Sequence, residues 1–472
     1  MPITSAYILL LTALTAGILA VIGRLPDEDG RKACLQQWTL VVTGLGFAAW
    51  ADIRFALILL GICLAVWLTG RQKKTVRWGI LLCLLALACF KYLNFFLESF
   101  QGLLGLEKKR LQLLLPLGIS FYVFSAVSYL ADVGRGKQKP GSFRQIAAYL
   151  TFFPKLTSGP IQRAGDFLAQ VERPLRIGGT GMSAGAQIFC FGLFKKVVLA
   201  DRLALFVDQV YGSPLSFGSM TVLLAVFAYT LQIYLDFSGY SDMAIGLARV
   251  LGVELPANFN LPYLSHNVTE FWKRWHITLS SWLQDYLYIP LGGSRKGQAR
   301  TYLNLVLTMV IGGLWHGAGW TFVVWGLLHG LALTVHKLWR RRPGQRRYNG
   351  FTAGLSICLT FLFVSFCWIF FRAESLGEAM QILSAIVIWR EGVQNPYLWL
   401  FVSAAVCLMA TAAAAFRSRK NPAAKPGFSR IQGFYPLVNL NSFWGLTWFF
   451  LWIGLILGLA YTGGSPFIYG GF

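Results

Sequence analysis

Apolar runs of membrane length recur along the chain, separated by short polar or basic connections. They fall near 3–22, 38–69, 76–97, 112–131 and 182–200, then near 218–236, 239–253, 301–320, 320–336, 351–371, 397–415 and 443–461. A helix needs about 20 apolar residues to cross a bilayer core, so the pattern predicts about eleven spanning helices. The run at 38–69 is interrupted by Asp52-Ile53-Arg54, which predicts a break there. Phe152-Phe153-Pro154-Lys155-Leu156-Thr157-Ser158-Gly159-Pro160 is too short and too broken to span. It reads as a re-entrant or interfacial segment, because irregular backbone at membrane depth survives only against protein or a watery cavity. No stretch is left for a separate soluble domain, so residues 1–472 read as a single integral-membrane domain.

Composition narrows this to an all-α polytopic membrane protein. The chain is 56% hydrophobic and 13% charged, where soluble domains carry about 25% charged residues. Continuous apolar runs, in place of the weak alternation of an outer-membrane barrel, make the spans helical. The first run, Ile3 to Ile22, has no basic residues before it and no clear cleavage site, and reads as a retained span.

The net charge of +23 would suit a nucleic-acid binder, but its distribution argues against one. Basic residues gather in short loops: Arg71, Lys73, Lys74 and Arg77; Lys337, Arg340, Arg341, Arg342, Arg346 and Arg347; Arg417, Arg419, Lys420, Lys425 and Arg430. Such loops mark cytoplasmic faces that touch anionic headgroups. Two spans separate the last two loops, which places the tail at 462–472 outside. The eight cysteines are scattered through apolar runs with no Cys-x-x-Cys pair. They read as small buried hydrophobes, and no metal site is expected.

Chemistry concentrates between Phe271 and His329, which holds three of the five histidines. His316 lies deep in an apolar run, near the bilayer midplane at ~1.5 Å per helical residue. Ionisable groups at that depth usually face a cavity or a partner, and imidazole exchanges protons near neutral pH. The alternative is a packing histidine bonded to a neighbouring carbonyl, and position alone does not separate the two. The glycines at 312, 313, 317 and 319 would let backbones or a substrate approach closely.

Phe271-Trp272-Lys273-Arg274-Trp275-His276-Ile277-Thr278-Leu279-Ser280 and Asp285-Tyr286-Leu287-Tyr288-Ile289-Pro290-Leu291-Gly292-Gly293 resemble the signature of membrane-bound O-acyltransferases, in the alginate O-acetylation branch. Gly312-Gly313-Leu314-Trp315-His316-Gly317 matches the segment that carries the family's invariant histidine, and His276 matches its second. Leu115–Asp132, Phe153–Arg163, Gly192–Lys196, Asp236–Asp242 and Trp368–Ala373 extend the likeness over about 90–373. The spans at 1–89 and most of 374–472 match in hydropathy alone.

The resemblance implies spanning and re-entrant helices around a central tunnel in a bacterial inner membrane. It also implies an acetyl group passing from cytoplasmic acetyl-CoA to an exported polysaccharide, alginate or one such as cellulose, with a periplasmic acetyl-accepting partner. His316 would then be the general base and His276 would orient the thioester or assist proton transfer, with Arg274, Asp285 and Trp315 as orienting groups. Phe467-Ile468-Tyr469-Gly470-Gly471-Phe472 resembles a Phe-x-Tyr-x-x-Phe ending of polysaccharide and teichoic-acid acylation systems, with Gly470 where an aromatic is usual. Tyr469 is thus a possible acyl carrier or an interfacial aromatic anchor. Two rival readings stay open, D-alanyl transfer from a carrier protein and a transporter or channel. Asp132, Gln232, Asp236 and Asp242 read as structural partners, His266, His329 and His336 as packing or loop-end groups, and Lys195 and Lys196 as side chains that snorkel to headgroups.

Overall fold

Helices account for nearly all regular structure in the computed structural model, which describes residues 3–27, 30–107, 110–340, 350–420, 437–461, 463 and 468, with backbone alone over 410–420. The basic side chains from Arg341 to Arg347 and from Arg417 to Arg430, together with Tyr469, lie outside the described residues. Six described helices are long and apolar enough to cross a membrane: Ala6–Arg24, Ile53–Gly70, Val76–Leu103, Ser219–Val250, Trp320–Trp339 and Gly350–Arg372. Ile119–Gly134, Leu376–Val387, Leu398–Met409 and Phe443–Leu459 are shorter apolar helices. Among the described residues the sole β-type pairing is an isolated bridge, Phe217 to Val393.

The chain divides into two compact units. The first comprises residues 1–190 and 240–256, and the second 191–239 and 257–471. In the first, the apolar run near 38–69 is two helices, Arg31–Ala51 and Ile53–Gly70. Asp52 separates them because its extended backbone leaves the helix and its carboxylate caps the next one, accepting the Arg54 backbone N–H at 2.8 Å. Buried amides tie this unit together. Gln36 bonds the backbone of Leu19 and Leu175, and Gln37 joins the Val171 carbonyl to the Arg144 guanidinium. The segment after Phe152 makes one helical turn, Phe153–Leu156, and then runs irregularly and buried to Gln162. Its carbonyl at Gln162 accepts from Tyr149 Oη at 2.7 Å, and Lys155 Nζ lies 3.8 Å from the Tyr149 ring centroid. The irregular stretch is thus packed against protein, the setting in which such backbone survives at membrane depth.

Two expectations are corrected. The runs near 218–236 and 239–253 are one helix, Ser219–Val250. The polar Ser238-Gly239-Tyr240-Ser241 stretch does not end it, because Gly239 gives the Gly192 backbone room to approach: a Cβ there would sit 2.8 Å from the Gly192 carbonyl oxygen. Lys196 does not snorkel. It is 6% exposed and ion-paired within the second unit to Asp201 and Asp236, so the charge stays inside.

The second unit contains the helical hairpin Gln298–His316 and Trp320–Trp339, whose backbones touch at glycines. A Cβ on Gly326 would collide with the Met309 carbonyl, one on Gly313 with the Phe322 carbonyl, and one on Gly330 would come within 2.8 Å of the Val306 Cα. Such contacts drive helix association where lipid removes the hydrophobic incentive. Gly326→Val is expected to cost about 1–3 kcal/mol, read as a lower midpoint in detergent thermal unfolding of the purified protein. An unchanged midpoint would contradict this packing.

Candidate functional site

A local break in the chain positions the first imidazole. The helix Val268–Arg274 opens with the Asn267 side chain accepting the Glu270 backbone N–H at 2.9 Å, and two residues, Trp275 and His276, separate it from the helix Ile277–Leu283. Between them His276 adopts a left-handed backbone, φ 42° and ψ 54°. Such geometry is uncommon outside glycine and costs of order 1–3 kcal/mol when surroundings impose it. His276 shows no solvent exposure. The break turns its side chain inward among Phe237 and Trp315, at ring-centroid distances of 4.7 and 6.1 Å.

Hydrogen bonding decides which nitrogen of His276 is basic. Asn258 Oδ1 lies 3.0 Å from His276 Nδ1, 2.9 Å from Thr278 Oγ1 and 3.3 Å from the Thr278 backbone nitrogen. The backbone N–H of Thr278 can only donate, so the Asn258 atom facing it is the carbonyl oxygen. That oxygen can only accept from Nδ1, which therefore carries the hydrogen and leaves Nε2 with the lone pair.

The second imidazole closes a helix. His316 is the last residue of Gln298–His316, after which Gly317 turns to an extended backbone, and it is 1% exposed. Its ring centroid is 6.3 Å from that of His276 and 5.0–5.2 Å from Trp315, Trp325 and Phe371. Two imidazoles and an aromatic wall thus share one buried enclosure within the second unit. A positive charge on His316 would lie at the carbonyl end of its helix, where the macrodipole favours cations. Gly317 closes the turn because the Phe322 ring leaves no room for a Cβ.

The remaining residues expected at the site are distributed unevenly. Trp315 is 2% exposed and contacts both imidazoles. Arg274 pairs with Glu270 at 2.6 Å, one turn away on its own helix, while His266 Nδ1 contacts the other Glu270 oxygen at 3.0 Å. Burial alone would raise the Glu270 carboxyl, but the His266 backbone N–H and ring, and then Arg274, hold it below its ordinary value. Asp285 is half-buried on the π-helical turn Gln284–Tyr288. His336 lies 2.7 Å from Thr269 Oγ1. His329 is fully buried and packs on Phe271, Trp272 and Trp325, as expected of a packing histidine. The Trp272 indole donates to His329 Nδ1 at 3.3 Å, so this imidazole carries its hydrogen on Nε2, the reverse of His276.

Asn258 escaped the sequence reading. It sits in an irregular connection, Leu255-Pro256-Ala257-Asn258-Phe259-Asn260, where a turn-forming asparagine is unremarkable and its partner lies in a later helix. Trp325 escaped for the same reason: only folding brings Trp368, Phe371 and His316 against it.

A family model described as MBOAT, membrane-bound O-acyltransferase family, matches residues 75–381. The chain is 36% identical over 469 residues to a protein named probable alginate O-acetylase AlgI of Pseudomonas putida, covering 91% of this chain and 93% of that one. It is 36% identical over 387 residues to a peptidoglycan O-acetyltransferase of Helicobacter pylori, covering 74% of this chain and 73% of that one. It is also 39% identical over 366 residues to a probable alginate O-acetylase AlgI of Pseudomonas aeruginosa, covering 74% and 69%.

Proposed function

The chain belongs to the membrane-bound O-acyltransferase family, and on that premise we propose that it carries acetyl groups from cytoplasmic acetyl-CoA across a bacterial inner membrane to an exported polysaccharide, through a periplasmic acetyl-accepting partner. The observation that carries this reading is the pair of buried imidazoles, His276 and His316, in one aromatic enclosure. Relatives named for alginate and for peptidoglycan acetylation support a glycan as the final acceptor.

In this reading His316 takes the proton from an acceptor hydroxyl as its oxygen attacks the thioester carbonyl. The tetrahedral intermediate collapses, the C–S bond breaks, and the departing CoA thiolate recovers the proton. Of orienting the thioester and assisting proton transfer, His276 is assigned the second. Its Nε2 lone pair supports proton transfer over donation to the oxyanion, because Nδ1–H is committed to Asn258. Trp325, buried beside His316, has an indole N–H with no acceptor among the described residues, which suits it to the oxyanion. A surrounding poor in water limits loss of the thioester to hydrolysis. Tyr469 is the acceptor hydroxyl within the chain, holding acetyl as a phenyl ester before the periplasmic partner takes it.

Purified protein in detergent, given acetyl-CoA labelled in the acetyl group, tests this. We expect CoA release together with label retained on the protein, and loss of the retained label in Tyr469→Phe. Turnover with an aminoacyl carrier protein and none with acetyl-CoA would replace this reading by the D-alanyl-transfer one. Label retained in Tyr469→Phe would remove Tyr469 as carrier.

A further inference from the structure

Lys196, Asp201 and Asp236 form a buried polar trio inside the second unit that the acyl-transfer site does not use. Lys196 lies on the π-helical turn Phe194–Ala200, and its ammonium reaches Asp201 Oδ1 at 2.8 Å and Asp236 Oδ1 at 2.7 Å. Asp236, on the helix Ser219–Val250, is 1% exposed. One ammonium faces two carboxylates, so the cation alone does not satisfy their oxygens, and buried carboxylate oxygens are costly without further donors.

A donor comes from far along the chain. The backbone N–H of Ile468 donates to Asp236 Oδ2 at 2.9 Å. Two more bonds attach the same closing segment to the same stretch. Arg202 Nη2 donates to the Leu459 carbonyl at 3.0 Å, and the Tyr461 N–H donates to the Val197 carbonyl at 2.9 Å. The last described helix, Phe443–Leu459, is therefore followed by a segment held at Leu459, Tyr461 and Ile468. Apolar contact alone would let that segment slide; three directional bonds fix its register.

We infer that Asp236, held by Lys196, is a positioning residue for the closing segment: its carboxylate pins the backbone at Ile468, the residue that precedes Tyr469 in the sequence. The anchoring stands on the hydrogen bonds alone, whereas its consequence for transfer rests on the acyl-carrier reading of Tyr469 proposed above. Misplacement of a reacting group by about 1 Å can cost roughly 100-fold in rate.

Hydrogen–deuterium exchange of the peptide 459–472, followed by mass spectrometry on purified full-length protein, reads the anchor directly. Asp236→Ala is expected to raise exchange in that peptide by at least about tenfold. It should also lower kcat for labelling by roughly 10- to 100-fold, with KM for acetyl-CoA unchanged. Ile468→Pro removes the donor without touching Lys196 or Asp201, so it keeps the test open if Asp236→Ala does not fold. It should reproduce the kcat loss, and the double variant should be no worse than either, since both remove one bond. Asp236→Asn keeps an acceptor oxygen and should recover most of the protection. Unchanged exchange in 459–472 in Asp236→Ala, or a rise spread evenly over all peptides, would overturn the inference. Loosening in Asp236→Ala, with full transfer by Tyr469→Phe, would confirm the anchor and remove the acyl-carrier reading alone.

Discussion

His316→Ala is expected to lower kcat for acetyl transfer by about 10²–10⁴-fold, the range of a positioned general acid or base, with KM for acetyl-CoA nearly unchanged. The side chain is buried in an aromatic wall of Trp315, Trp325 and Phe371, so truncation also removes packing. His316→Gln separates the two effects. Glutamine fills most of the volume and keeps polar atoms, yet its amide does not take up a proton at neutral pH. A base role predicts that the Gln variant unfolds near the wild-type temperature and is as inactive as the Ala variant. If His316→Gln retained activity within about tenfold of wild type, His316 would be a packing residue and the proton acceptor would have to be sought elsewhere.

Asn258→Ala should lower kcat by roughly 10- to 100-fold, as removing the partner that orients a working imidazole commonly does, whereas Asn258→Asp should retain most activity. The reason lies in the hydrogen. With Asn258 present, Nδ1–H is fixed and Nε2 is the acceptor. With alanine the Nδ1–H loses the Asn258 oxygen that fixes the tautomer, and Thr278 loses its bond to the same oxygen. Aspartate restores an oxygen that accepts from Nδ1 and from both Thr278 donors. The double variant Asn258→Ala with His276→Ala tests the dependence: Asn258 acts through His276, so the pair should be no worse than His276→Ala alone. Additive losses would show that Asn258 contributes by another route. Steady-state kinetics with acetyl-CoA reads each case.

Much of this architecture is visible in residues taken singly. Asp52 announces the break between two helices because an extended capping residue is a local device, and the short, proline- and glycine-broken Phe152–Gln162 stretch announces irregular, buried backbone by the same logic. His316 stands out by its depth in an apolar run. What the sequence does not display is pairing between distant positions. Lys196 at the end of an apolar run looks like a headgroup-seeking side chain until Asp236, on another helix, is seen 2.7 Å away. Gly239 beside Tyr240 and Ser241 looks like a turn until the Gly192 carbonyl is found packed against it. Asn258 carries no local mark, and its importance appears once Thr278 and His276 converge on its oxygen.

The glycine contacts in the hairpin Gln298–His316 and Trp320–Trp339 bear on motion as well as on stability. At Gly313, Gly326 and Gly330 each helix meets the other at backbone atoms, with no side chain between to yield. Advancing one helix by a single position would bring Trp325 or Leu327 to the Met309 carbonyl now faced by Gly326, and Trp325 is already fully enclosed. Intermediate positions of a sliding motion are therefore closed, and the hairpin is expected to move as one rigid strut with His316 at its end. Variants that change access to the two imidazoles without touching their chemistry are therefore expected to map outside the strut.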